Sequence, residues 1–318
     1  MKINRLAVIL LVSILVFSCK KDDDGDTTVN LRDRGEQAIA DDQAIIEYLS
    51  THFYNYEEFE NPPEGFDYEI VYDTIAGDNA GKTAIIESDK LFTKTINYEG
   101  VDQLLYVLKV REGAGEKPTF ADSTYVGYRG ELLDHTVFNS YYKASLWFDL
   151  GGYQYISNGT IRQDGGTILG FARGLEEFGG ASGYEIQADN TVKWNDDYGI
   201  GALFIPSGLG YFAAPPTTKI GAYKPLVFSF KLYNVNQADH DGDGIPSYME
   251  DLDGDKELFT DDTDGDGLAN SSDTDDDGDG TPTRDEIEID EETGAITLTD
   301  TNGDGTPDYL DPDFFKND

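Results

Sequence analysis

Residues 125–140 read YVGYRGELLDHTVFNS. An aromatic and β-branched run closes in an acidic turn, and a short apolar pair, Val137 and Phe138, follows. That texture is a strand bounded by turn residues. Four further segments share it: LLYVLKVREG at 104–113, SLWFDLGG at 145–152, GIGALFIPS at 199–207 and PLVFSFKLYNV at 225–235. One short helix is expected around Leu169–Phe178. Many strands and one helix between residues 100 and 236 predict an α+β class, an antiparallel sheet packed on that helix.

The order of these segments resembles the FKBP family of peptidyl-prolyl isomerases. The opening stretch matches its Tyr-x-Gly strand, Leu, acidic turn and Phe before a polar residue and Ser. FDLGG at 148–152 is similar to its Phe-x-Leu-Gly strand, and TILGFARGLEEF at 167–178 to its Val-Ile-x-Gly-Trp helix start. LFIPSGLGYF at 203–212 resembles the strand leading to a pocket tyrosine, and KPLVFSFKLYNV at 224–235 the last strand. The resemblance implies an FKBP-like sheet wrapped on one short helix, with a pocket for proline-containing polypeptides. In that pocket Tyr128 and Phe138 would form one wall, with Asn139 where the family usually has Asp. Phe148 would lie near the next strand, and Leu146 matches the place of a pocket aromatic. Ile168 would offer its backbone N–H, Phe171 would be the floor in place of Trp, and Tyr211 would donate its hydroxyl. Ile220 and Phe228 would close the far side. Phe148 and Phe228 could equally be plain core. Two long insertions, residues 152–166 and 179–199, would flank the cleft.

Such a pocket suits prolyl isomerisation. The Xaa–Pro bond turns over a barrier of about 18–20 kcal/mol that is lost amide resonance, so no nucleophile, metal or acid–base pair is needed. An apolar cup and hydrogen bonds fitted to the twisted amide lower that barrier. A millionfold gain corresponds to about 8 kcal/mol. Binding of proline-containing peptides without turnover, or a scaffold role, remains open as an alternative. The three histidines, at 52, 135 and 240, have no zinc-type spacing, and the SGLG around Ser207 is not a nucleophile elbow.

The chain of 318 residues carries a net charge of −40, and from Ala238 onward 29 acidic residues face only three basic ones. No basic patch exists to hold a phosphate backbone, which argues against nucleic acid. Like charges about 4 Å apart repel by roughly 1 kcal/mol in water and roughly 4 kcal/mol near a protein surface. Several such pairs rival a domain stability of about 5–15 kcal/mol, so this segment is either unfolded or built around cations. Its acids fall in twelve-residue frames of the form D-x-D-x-D-G-x5-E. The full frames are Asp239, Asp241, Asp243 and Glu250; Asp262, Asp264, Asp266 and Asp273; Asp275, Asp277, Asp279 and Glu286; and Asp300, Asn302, Asp304 and Asp311. A fifth, Asp251, Asp253, Asp255 and Asp262, has Lys256 in the glycine place. The tandem, helix-poor form resembles thrombospondin type 3 repeats, which implies several structural Ca²⁺ ions over residues 237–318.

The N-terminus carries a basic start, an apolar run from Leu6 to Phe17, and then VFSC with the single cysteine, Cys19. The run is short for a bilayer span and fits a signal sequence over residues 1–18. VFSC resembles a bacterial lipobox, implying a lipid-anchored outer-membrane protein on the periplasmic face or the cell surface. A tether is expected at 19–35, with KKDDDGD at 20–26 resembling a surface-export signal. In the extension at 36–99, DDQAIIEYLSTHFYNY at 41–56 predicts a helix with Asp41 capping its first turn. His52 is expected as a packed ring. YEIVYDTIAG at 68–77 and KTAIIESDKLF at 82–92 are candidate strands.

Overall fold

A computed structural model describes residues 31–142 and 145–314. The leader, Cys19 and the tether to residue 30 lie outside the described residues. The chain is α+β, with few helices and antiparallel strand pairs throughout. Helix α1 spans Arg34–Thr51. Strands β1 (Leu91–Tyr98), β2 (Val101–Arg111), β3 (Ser123–Leu132), β4 (Val137–Ser140) and β5 (Leu146–Asp149) follow. Helix α2 (Leu169–Leu175) precedes β6 (Gly199–Ile205) and β7 (Leu226–Asn236). These seven strands form one sheet in the order β1-β2-β6-β7-β3-β4, and β5 pairs with the first half of β3. Leu91–Tyr98, which falls wholly within the expected extension at 36–99, is therefore an edge strand of the main sheet.

Both faces of the sheet are covered. On one, Leu105, Val107, Val126, Leu203 and Phe230 pack against Phe171, Ala172 and Leu175 of α2. On the other, Tyr106, Leu108, Ile200 and Phe204 pack against Ile45, Tyr48 and Leu49 of α1, with Ile70 and Ile85 beside them. Strand β6 is consequently buried at every position, which is why GIGALFI is an unbroken apolar run. Each large apolar side chain buried this way stabilises the fold by about 1.5–3 kcal/mol. Helix α2 sits close on β6 because Gly170 and Gly174, one turn apart, face it. A methyl group at Gly174 would collide with Leu203.

The first helix departs from its expected limits. It begins at Arg34, and its cap is Asp33, which accepts the Glu36 N–H at 2.9 Å. Asp-x-x-Glu at 33–36 is a capping pattern that the apolar spacing further on does not reveal. Asp41 lies inside the helix, 2 % exposed. The helix ends at Thr51, and the aromatic His52–Tyr54 continues as a strand paired with Tyr72–Thr74. His52 stacks on Tyr48 at 4.0 Å. Of the candidate strand at 82–92, Ile85–Glu87 is a 3-10 turn and only its end enters β1.

The two insertions are hairpins. Tyr153–Ser157 pairs with Thr160–Asp164, and Tyr184–Ile186 with Val192–Trp194. The second stacks Trp194 over Tyr125 and Tyr233.

From Ala238 the chain turns repeatedly instead of forming long elements. All five acidic frames fold alike. In each, the third-position side chain accepts the fifth residue's N–H, as Asp264 does from Asp266. In four of them the first Asp accepts the N–H of the sixth residue, as Asp275 does from Gly280. Lys256 makes the same bond to Asp251 at 3.0 Å and takes the left-handed φ of 67° that glycine usually holds. The tail lies against the sheet domain: Leu258 packs on Phe120 and Ala121, and the first hairpin exchanges bonds with it through Gln154.

Candidate functional site

The sheet face that carries α2 opens into a cavity of about 420 Å³, lined by Tyr128, Phe148, Gly165, Gly166, Thr167, Ile168, Phe171, Tyr211 and Phe228. The walls come from four places in the chain. Tyr128 on β3 is paired across the sheet with Phe230, and Phe228 on β7 with Gly130. Tyr128 meets Phe148 at 5.4 Å and 74° between ring planes. Phe171, on the first turn of α2, meets Phe228 at 5.2 Å and Phe148 at 6.0 Å. Edge-on aromatic pairs of this kind hold a rigid apolar surface.

Two donors belong to residues of this lining. Ile168 sits just before α2 in extended conformation, so its N–H is outside the helix's own bonding. Among the described residues neither that N–H nor the Tyr211 hydroxyl has a hydrogen-bond partner. Burial pushes the Tyr211 hydroxyl up from its ordinary range. Tyr128 is pushed up to about 12, by burial first and then by Tyr141 and Tyr211. Both phenols therefore stay protonated as donors at neutral pH.

Other expected pocket residues stand outside the lining. Phe138 is half-buried and packs edge-on against Phe228 at 5.6 Å. Gly130 makes room for it, since a Cβ there would lie 2.6 Å from the Phe138 ring. Asn139 is exposed on β4, and Leu146 is exposed on β5. Ile220 is buried in the core without reaching the cavity. The first hairpin ends in Gly165 and Gly166 of the lining, whereas no residue of the second lines it.

Residues that sequence reasoning did not assign hold Tyr211. The 3-10 turn Ser207–Leu209 leads into it. Asp41 of α1 accepts both the Ser207 N–H at 2.7 Å and its hydroxyl at 2.6 Å. Arg34 lies over the ring of Phe212, and Arg32 over that of Tyr223. The N-terminal layer thus grips the loop that presents the hydroxyl.

The acidic tail gathers its own clusters. Asp241, Asp243 and Glu250 converge with Asp276, a residue of a later repeat outside the expected set. Asp251, Asp253 and Asp255 form a second group, Asp262, Asp264 and Asp266 a third, and Asp275, Asp277 and Asp279 a fourth. Asp239 is exposed and accepts the Gly242 N–H. Asp262 and Asp273 stand outside the groups with which their frames would end. In the frame at 300–311, Asn302 donates to Asp311 at 2.6 Å, and Asp300 and Asp304 accept backbone N–H groups. Glu250 and Asp276 are 1 % and 2 % exposed, and among the described residues neither carboxylate has a partner for either oxygen. Glu286 is buried in the same state. Burial, then the neighbouring acids, pushes Glu250 up to about 11, Asp276 to about 9 and Glu286 to about 8. Unpaired buried carboxylates are costly, and an all-oxygen set on flexible loops fits a hard cation such as Ca²⁺.

Among protein families, a model described as BamM C-terminal matches residues 240–299. No curated protein matches the chain. Among solved structures, the chain is similar to FkpA from Escherichia coli at 24 % identity and TM-score 0.33, covering 47 % of this chain and 53 % of that one. A peptidyl-prolyl cis-trans isomerase from Pseudomonas syringae pv. tomato is similar at 20 % identity and TM-score 0.33, over 48 % of this chain and 84 % of that one. A multi-domain immunophilin from Arabidopsis thaliana is similar at 11 % identity and TM-score 0.32, over 48 % of each chain. At these scores the likeness carries no argument by itself. The match spans about half the length of the first of these chains.

Proposed function

We propose that this chain is a peptidyl-prolyl cis–trans isomerase acting on Xaa–Pro bonds of exported polypeptides. The observation that carries this reading is one aromatic cavity with two donors unpartnered among the described residues, the Ile168 N–H and the Tyr211 hydroxyl. A pyrrolidine ring fits an apolar cup with aromatic walls. Its neighbouring carbonyls would accept the two donors, holding the amide while it twists. No titrating base or metal takes part in the rotation. The order of five FKBP-like segments supports the same conclusion from the sequence.

The lipobox-like VFSC supports anchoring by a lipid at Cys19 on the outer membrane, at its periplasmic face or the cell surface. No described helix is long and apolar enough to cross a membrane. The acidic tail takes structural Ca²⁺, with Asp241, Asp243, Glu250 and Asp276 the most enclosed set.

The test is a protease-coupled assay on a short Xaa–Pro peptide, with a rate above the uncatalysed one expected. No acceleration over buffer rejects the enzyme. A second reading, peptide binding without turnover, is favoured by the exposed Asn139, which leaves no acidic side chain in the cavity lining. Peptide affinity at an unchanged isomerisation rate would select it.

A further inference from the structure

Beside the prolyl cavity lies a second hollow of about 350 Å³, and the two share Thr167 and Ile168. Its inner wall is Leu150, Leu169 and Ala172, from the sheet domain, and its outer wall is Leu258 and Phe259, from the acidic tail. We propose that this hollow is a second subsite that takes an apolar side chain of the same polypeptide whose proline occupies the first. The inference rests on the prolyl reading above and extends it.

Three observations carry it. The first is adjacency: Thr167 and Ile168 line both hollows, so a chain whose proline sits against Ile168 would reach the second hollow within a residue or two. The second is Thr167 itself, whose hydroxyl oxygen is buried and has no hydrogen-bond partner among the described residues. Thr167 stands in the wall that the two hollows share.

The third is that the outer wall is deliberately fixed. Lys256 departs from the glycine of the other frames and accepts an unfavourable left-handed φ. In return its carbonyl accepts from Arg173 of α2 at 2.6 Å, and its ammonium meets Glu176 at 3.0 Å. A glycine would supply the turn but not the ammonium. Leu258, three residues past Asp255, is thereby pressed into place beside Gly151 and Phe120. The wall is held to the helix that carries the pocket floor.

The experiment measures dissociation constants by fluorescence anisotropy, using the full chain in calcium. The probes are a blocked tetrapeptide with one Xaa–Pro bond and two longer peptides extended by a leucine-containing arm, one on each side. At least a tenfold tighter binding of one long peptide over the short one is expected. Within Phe259→Ala, and separately within Lys256→Gly, that ratio should fall to about threefold or less. Short-peptide binding with no gain from either arm overturns the subsite and leaves the prolyl reading standing. A gain that persists in both variants also overturns it, because the wall would then not be the tail. Failure to bind any of the three peptides overturns both readings.

Discussion

Tyr211 is the side chain through which the cavity's chemistry is most exposed to test. Among the described residues its hydroxyl has no partner, so removing it should not disturb the fold. One hydrogen bond to a substrate is worth about 1 kcal/mol, so Tyr211→Phe should lower kcat/KM by about five- to tenfold with an unchanged melting temperature. Asp41 offers a test of the loop's support. Burial raises its pKa above the ordinary 3.8, against the lowering effect of its bonds to Ser207 and Gln37. The folded state therefore holds this proton more tightly than the unfolded chain does. Its contribution to stability is full below 3.8 and declines as pH rises through the folded value. Asp41→Asn does not titrate, so the stability of wild type minus variant should fall as pH climbs from 3.5 through that window, as read by urea unfolding at each pH. Six of the expected pocket residues do surround one hollow, because each sits in a strand, helix or turn that its own segment specifies. Phe138, Asn139 and Leu146 were harder to place, since their orientation depends on how the sheet's edge divides between β4 and β5, and Ile220 stands in the turn before β7, where no strand period fixes its direction. Asp276 was not legible at all: it occupies an off-pattern place in its own frame and serves a distant one.

At the scale of elements, α2 against β6 is the contact that sets the cavity floor. Gly174→Ala would raise intrinsic helix stability by about 1 kcal/mol. The added methyl would meet Leu203, and overpacking costs about 1–3 kcal/mol. The expected outcome is a net loss of stability, seen as a melting temperature lower by a few degrees. A stabilised variant would mean that helix and strand have room between them. The strands were readable from short β-branched runs, whereas the start of α1 was not. Its cap at Asp33 stands in a stretch so charged that it reads as tether. The continuous burial of β6 was also written in GIGALFI, which has no polar residue to turn toward water. Taken with the apolar face of α1, that run points to a sheet covered on both sides.

For the molecule as a whole, the tail is the part whose order depends on solution conditions. Removing Ca²⁺ with a chelator should leave Glu250, Asp276 and Glu286 as uncompensated buried acids and loosen residues 239–311. Limited proteolysis should then cut within the tail while sparing residues 91–236. Because Asp276 completes a group founded on residues 241–250, filling one group should organise another. A calcium titration followed by calorimetry should rise more steeply than independent sites allow, with a Hill coefficient above 1. Independent binding would show that the shared acid does not couple the repeats.

The sheet's second cover has a practical corollary for anyone trimming this protein. A fragment beginning at residue 100 would keep every cavity wall, yet strip the roof from Tyr106, Leu108, Ile200 and Phe204 and bare a broad greasy slab. Such a fragment should collect in inclusion bodies or self-associate on gel filtration, while one beginning at residue 32 stays dispersed. The smallest soluble portion of this protein is thus dictated by the layer farthest from its hollow.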